Sequence, residues 1–253
     1  MNRASDSESN ASSYWTEKLA GNPPALELPA SHPRTPDHHS ETAVRSLELE
    51  SETRREFGAL LGARGIDERT GLLAAFLTLV YRSTRQSDVV VGVEHEDLVL
   101  PLRFDFSGDT RPSFVEVCGR VQAELESARA NAQPLLDTLC AVGLSAADEL
   151  FKVALLEPGS SMGREIGGME LILRPAEALL EGELAYDGAL FEESRIERML
   201  GHFGELLAGI VASPEASVGT LPFLSAAERD EILVRWNDKV VDFPEDVCLH
   251  ELF

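Results

Sequence analysis

Between Thr70 and Val93 the chain reads TGLLAAFLTLVYRSTRQSDVVVGV. Its first half, GLLAAFLTLVY, is apolar nearly all round, the pattern of a helix buried at the centre of a molecule. Asp88-Val-Val-Val-Gly92 is a short β-branched run ending at glycine, typical of an inner strand. A buried helix over Arg69–Arg82 leading into such a strand predicts strands and helices packed around one core.

The flanking segments extend this pattern. Upstream, Val44–Leu49 (VRSLEL) alternates apolar and polar, as a half-buried strand does. Ser51 stands ahead of a helical stretch with Phe57, Leu60 and Leu61 on one face. Downstream, Leu98–Phe106 reads as a strand. Pro112 opens a helix with Phe114, Val117, Val121 and Leu125 at helical spacing. Pro134 starts a shorter helix. Phe151–Leu156, Met169–Leu173 and Leu180–Tyr186 read as strands, the last two as hairpin partners. Arg195–Val211 is the clearest helix, with Ile196, Met199, Leu200, Phe203, Leu206, Leu207 and Ile210 on one stripe. Ser225 caps a last helix, SAAERDEILVRW, with Glu228 in the capping-box position. The expected fold is an α/β sandwich, a mixed sheet packed with helices.

The ends are different. Residues 1–12 read as a disordered leader, and Ser13–Leu19 (SYWTEKL) as a short helix with aromatic anchors. The following GNPPALELPASHPRTPDHHSETA holds five prolines and no helical period, so it is an extended segment crossing the surface.

Composition excludes several functions. With 22 Lys and Arg against 44 Asp and Glu, the 253 residues carry a formal charge of −22, which repels nucleic-acid phosphates and anionic membrane surfaces. The longest near-apolar run, Leu72–Tyr81, is about half the ~20 residues a membrane span needs. The N-terminus lacks the apolar core of a signal peptide. Cys118, Cys140 and Cys248 are odd in number and far apart. They form neither a zinc cage nor a disulfide framework, and point to a reducing, cytoplasmic compartment.

Several stretches, taken in order, resemble one family. SYWTEKLAGNPPALELPASHPR is similar to the opening of the second, C-terminal lobe of condensation domains in nonribosomal peptide synthetases. TGLLAAFLTLVYRSTRQSDVVVGV resembles the family's buried helix and its Gln-x-Asp-Val-Val-Val-Gly strand entry. LRFDFSGDTRPSFVEV resembles its strand, Ser-Gly-Asp turn and helix. YDGALFEESRIERMLGHFGELLAGIVASP with LPFLSAAERDEILVRWN resembles its C-terminal helix and exit. The final NDKVVDFPEDVCLHELF is similar to the linker into an adenylation domain. The resemblance spans Ser13–Phe253. It implies a single lobe like chloramphenicol acetyltransferase over residues 13–224, and an exit helix and adenylation linker over 225–253.

The family's catalytic signature, His-His-x-x-x-Asp-Gly, belongs to the first lobe. The adjacent His38 and His39 imitate it, but Ala43 and Val44 stand where its Asp and Gly belong, and the pair lies in the Pro-rich segment. They read as exposed linker histidines. The lobe also reads as shortened and degenerate. VGVEHEDLVLPLR runs almost directly from strand to strand where the family carries a long loop. NAQPLLDTL, SAADELF and EPGSSMGREIGGMELILRP are reduced forms of longer family segments. A crossing loop with nothing to pack on costs ordering entropy and returns little burial, so these reductions fit a lobe that works without its partner.

The remaining candidates have plain readings. His95, beside Glu94, Glu96 and Asp97, has the donor types of a metal or acid/base site, but reads as a short loop. The acidic runs at 48–52 and 92–97 read as solvated surface. His202 reads as a packed or surface histidine, and His250 as linker. Cys118 and Cys140 read as buried thiols. Gly167-Gly168 does not make a phosphate loop. We therefore expect no catalytic, cofactor-binding or metal-binding residue. The expected function is a non-catalytic platform at the start of a synthetase, for an adenylation domain in cis. The alternatives are a docking module for a carrier protein or another synthetase subunit, and an acyltransferase that shares its site between copies of an oligomer.

Overall fold

The structure, a computed structural model, describes residues 13–21, 23–35, 38–96, 98–108, 111–132, 151–160, 169–176 and 180–238. Two compact units divide the chain, Met1–Phe223 and Leu224–Phe253.

In the first unit, helix α1 covers residues 13–18. Strand β1 (Thr42–Glu48) follows the extended segment, then α2 (Ser51–Arg64), α3 (Glu68–Thr84), β2 (Asp88–His95), β3 (Leu98–Asp105), α4 (Phe114–Ala130), β4 (Val153–Leu155), β5 (Leu171–Pro175), β6 (Glu181–Asp187) and α5 (Glu193–Ala212). The strands form one mixed sheet in the order β1-β6-β5-β4-β2-β3. β4 lies parallel to both β2 and β5, and the other pairs are antiparallel. The expected α/β sandwich is the fold found, including the β5–β6 hairpin.

Helix α3 fills the centre. All of Thr70–Tyr81 is buried, so the unbroken apolar stretch reflects burial on every side. Its ends are set locally. Asp67 caps the first turn by accepting from Thr70 N at 2.9 Å, and Arg85 closes the last in a left-handed conformation. Thr78, the one polar residue deep in the helix, donates its hydroxyl to Ala74 O at 2.8 Å.

The sheet alternates as a pleat requires. Val153, Leu155, Leu171, Leu173, Leu184 and Tyr186 face the helices in the main core. Ala154, Leu156, Ile172 and Ala185 form a small cluster of their own, which the two-residue period places on the opposite face. Fully burying each large apolar side chain contributes roughly 1.5–3 kcal/mol, and the main core holds most of them.

Three expectations need adjusting. α4 starts after Ser113, not at Pro112. The Ser113 hydroxyl accepts from Glu116 N, and the Glu116 carboxylate accepts from Ser113 N at 2.7 Å, a capping box hidden by the preceding proline. β2 continues past Gly92 to His95, because β3 pairs with it along its whole length. β4 is only three residues long, since its neighbours meet it over that span. The helix expected from Pro134 lies outside the described residues.

The second unit opens with α6 (Ala226–Asp230), capped by Ser225 and Glu228 as expected, and continues as a π-helical turn over Glu231–Arg235. Among the described residues no helix is long and apolar enough to cross a membrane.

Candidate functional site

The polar chemistry of the first unit centres on three buried carboxylates, Glu94, Glu170 and Asp187. Two of them fasten the Pro-rich segment that precedes β1. Arg34 forks onto Glu170, with Nε 2.7 Å from Oε1 and Nη2 2.5 Å from Oε2, and Nη2 also donates to Leu28 O. Ser31 N and His32 N donate to Leu190 O. The Ser31 hydroxyl accepts from Glu192 N and Arg195 Nε. Leu26 and Leu28 bury their side chains in the core. The segment is extended, as its prolines require, and fixed along much of its length.

His38 corrects an expectation. It is not a loose linker histidine: its Nε2 lies 2.6 Å from Asp187 Oδ2, and its side chain is 25% exposed. Asp187, at the end of β6, also accepts from Glu41 N and Ala189 N. Burial opposes ionisation of this carboxyl. The hydrogen bonds from His38, Glu41 N, Ala189 N and Ser40 outweigh it and hold the pKa below the ordinary carboxylate value. The imidazole therefore faces a carboxylate that backbone donors already hold in place. His39 is exposed, as expected.

Glu94 corrects a second expectation. It is not solvated surface but 5% exposed, at the C-terminal end of β2. Its carboxylate accepts from Glu157 N at 2.7 Å and from the Ser160 hydroxyl at 2.6 Å. Arg69, on the first turn of α3, donates to Glu94 O at 2.6 Å and pairs with the Glu157 carboxylate. Burial, reinforced by the nearby Arg129 charge, lowers the Arg69 pKa to about 10. These groups tie the ends of two parallel strands to the central helix. His95 is half-buried in the ladder opposite Leu98. No set of three or more His, Cys, Asp or Glu among the described residues is arranged to hold a metal ion.

The other candidates stand as follows. The run at 48–52 is exposed at its charged positions. His202 packs its ring 4.7 Å from Phe223. Cys118 is buried, and burial pushes its thiol up to about 12. Cys140, Cys248, His250, Asp97 and Gly167-Gly168 lie outside the described residues. Sequence reasoning missed Glu170 and Asp187 altogether. The available signal was an acid at the edge of an apolar strand run, in MELIL and LAYDG. In the second unit, Leu233, Val234 and Trp236 are more than half exposed.

The family model for the condensation domain matches residues 2–97. A linear gramicidin synthase protein of Brevibacillus parabrevis is 32% identical across 94% of this chain. Over residues 2–97 this chain is condensation-domain sequence. The condensation-domain sequence spans 5% of that synthase. It is also 27% identical to the phosphinothricin tripeptide synthetase PhsB of Streptomyces viridochromogenes, over 89% of the chain and 22% of the relative. Among solved structures, the X-domain in its complex with OxyB from teicoplanin biosynthesis superposes with a TM-score of 0.70 at 21% identity, over 87% of this chain and 56% of that one. A four-domain nonribosomal peptide synthetase bound to AMP and glycine gives 0.72 at 15% identity, over 87% of this chain and 20% of that one. At these identities the likeness is one of fold, and the fold is the chloramphenicol-acetyltransferase-like α/β sandwich of condensation domains.

Proposed function

We propose that residues 13–224 are a non-catalytic C-terminal lobe of condensation type, and that the lobe and the exit segment after it serve as a platform for an adenylation domain in a nonribosomal peptide synthetase. The carrying observation is the state of the histidine pair. His38 is fastened to Asp187 inside the fold, His39 is exposed, and Ala43 and Val44 stand at the motif's Asp and Gly positions. The second histidine of the pair, the one the family resemblance would assign to the attacking amine, therefore lacks the Asp and Gly that would fix its position.

The β2–β3 connection supports the shortened character of the lobe. His95 pairs directly with Leu98, and Glu96 takes the left-handed conformation that two-residue hairpins use. This turn stands where the family resemblance leads to a long loop. The exposed Leu233, Val234 and Trp236 support a role for the exit segment in covering apolar surface on the domain that follows.

The test is direct condensation. The purified chain is supplied with two carrier proteins bearing labelled aminoacyl groups, and dipeptidyl product is followed over time. Product should stay at the level of the protein-free control. Product above it that rises with chain concentration overturns the reading.

A further inference from the structure

We infer that the open edge of β1 docks an extended basic peptide, which joins the sheet as a further strand. The inference is independent of the platform reading.

Strand β1 ends the sheet, and among the described residues its one strand partner is β6. The bond from Gly188 N to Glu41 O sets the phase of the ladder. Residues 43, 45 and 47 therefore turn their backbone groups toward β6, while Val44, Ser46 and Glu48 turn theirs outward. Val44 O takes a long 3.3 Å contact from Arg45 Nη1, which an incoming strand can displace. The opposite edge is protected differently. β3 contains Pro101, which offers no donor, whereas β1 contains no proline.

Beside this edge lies a groove of about 680 Å³ between β1 and α5, with Leu47, Leu200, Gly201, Gly204 and Ala208 among its lining. A Cβ on Gly201 would meet nothing within 4 Å, and one on Gly204 would meet Leu49 Cδ2 at 3.5 Å. The groove therefore has room for every second side chain of an added strand. Its rim selects the occupant. Glu48, Glu50, Glu197 and Glu205 line it against Arg45, on a chain of formal charge −22. A second copy would bring the same acids to the same edge, so the complementary occupant is a partner's strand-forming segment that alternates Lys or Arg with small apolar residues.

The probe is a fluorescein-labelled Thr-Lys-Val-Lys-Val-Lys-Thr peptide, titrated with the full chain by anisotropy. Its control is the same peptide N-methylated at alternate residues, which keeps the charge and removes the ladder donors. Saturable binding is expected, weakened about tenfold or more by N-methylation and by Val44→Pro, roughly the loss of a hydrogen bond or two, and by Gly201→Leu, which occupies the groove a peptide side chain would enter. Val44→Pro removes an outward N–H, and Gly201→Leu fills open space, so both variants should keep the parent melting temperature. If Val44→Pro unfolds the chain, Gly201→Leu and the methylated peptide decide. Absence of binding, equal binding of the methylated peptide, binding unchanged in Gly201→Leu, or self-association of the chain through β1 would each overturn the inference.

Discussion

Asp187 Oδ2 lies 2.6 Å from His38 Nε2, joining residues 149 positions apart in the chain. The contact fixes the start of β1 to the end of β6 and makes one of the adjacent histidines, His38, part of the framework. Because the folded pKa of Asp187 is lowered, its contribution is present above the unfolded carboxylate pKa of ~4 and is lost as pH falls through the folded value. Asp187→Asn should therefore cost about 1–3 kcal/mol at neutral pH and flatten the acid limb of stability below pH ~4. Urea melts of both proteins across pH check this. Parallel curves would show that the carboxylate is not the titrating group.

Arg82 donates Nη1 to Val218 O at 2.9 Å and to Leu221 O at 2.8 Å, with its guanidinium 4.9 Å from the centre of the Phe223 ring. Burial lowers its pKa, and the two carbonyls offset the burial of the charge. Arg82→Met keeps most of the stem but leaves both carbonyls without this donor. It should lower stability by about 2–3 kcal/mol, read as a fall in urea midpoint at unchanged m-value.

Two glycines should differ sharply when changed to alanine. At Gly182, φ is +146° and a Cβ would stand 2.1 Å from Arg174 O, where backbone must move. At Gly92 the contact is 2.5 Å to the Phe151 ring and 2.6 Å to Val99 Cγ1, both side chains. Gly92→Ala should cost about 1–3 kcal/mol as overpacking. Gly182→Ala should cost more, because it adds a strained backbone conformation to the clash. Thermal melts of the two variants give the order.

Cys118 is 1% exposed and burial pushes its thiol up to about 12, so little thiolate exists at pH 8. In a Cys140→Ser/Cys248→Ser protein, a thiol reagent should label Cys118 only as fast as the fold opens, and the rate should rise steeply with denaturant. Rapid labelling of the native protein would contradict the placement of α4.

The central helix, the inner strand and the long stripe of α5 were legible because their apolar periods extend over enough residues to admit one reading. The capping boxes at Ser225 and Ser113 show where legibility ends. The first follows a plain polar boundary, while the second is masked by Pro112. Buried charge was the main failure. Glu94 reads as surface because acids flank it, yet it sits in a strand covered on both faces, where its partners come from Glu157 and Ser160, more than sixty residues away. His38 and Asp187 fail for the same reason. A tertiary partner decides whether a polar residue is solvated or fixed, and local pattern carries no record of that partner.

The platform reading meets its most direct test in the intact synthetase. Amino-acid-dependent ATP–pyrophosphate exchange by the adenylation domain is measured with residues 1–236 present and deleted, at matched folded protein. The account predicts a large loss of exchange, or insolubility of the shortened protein. Unchanged yield and unchanged exchange rate would contradict it.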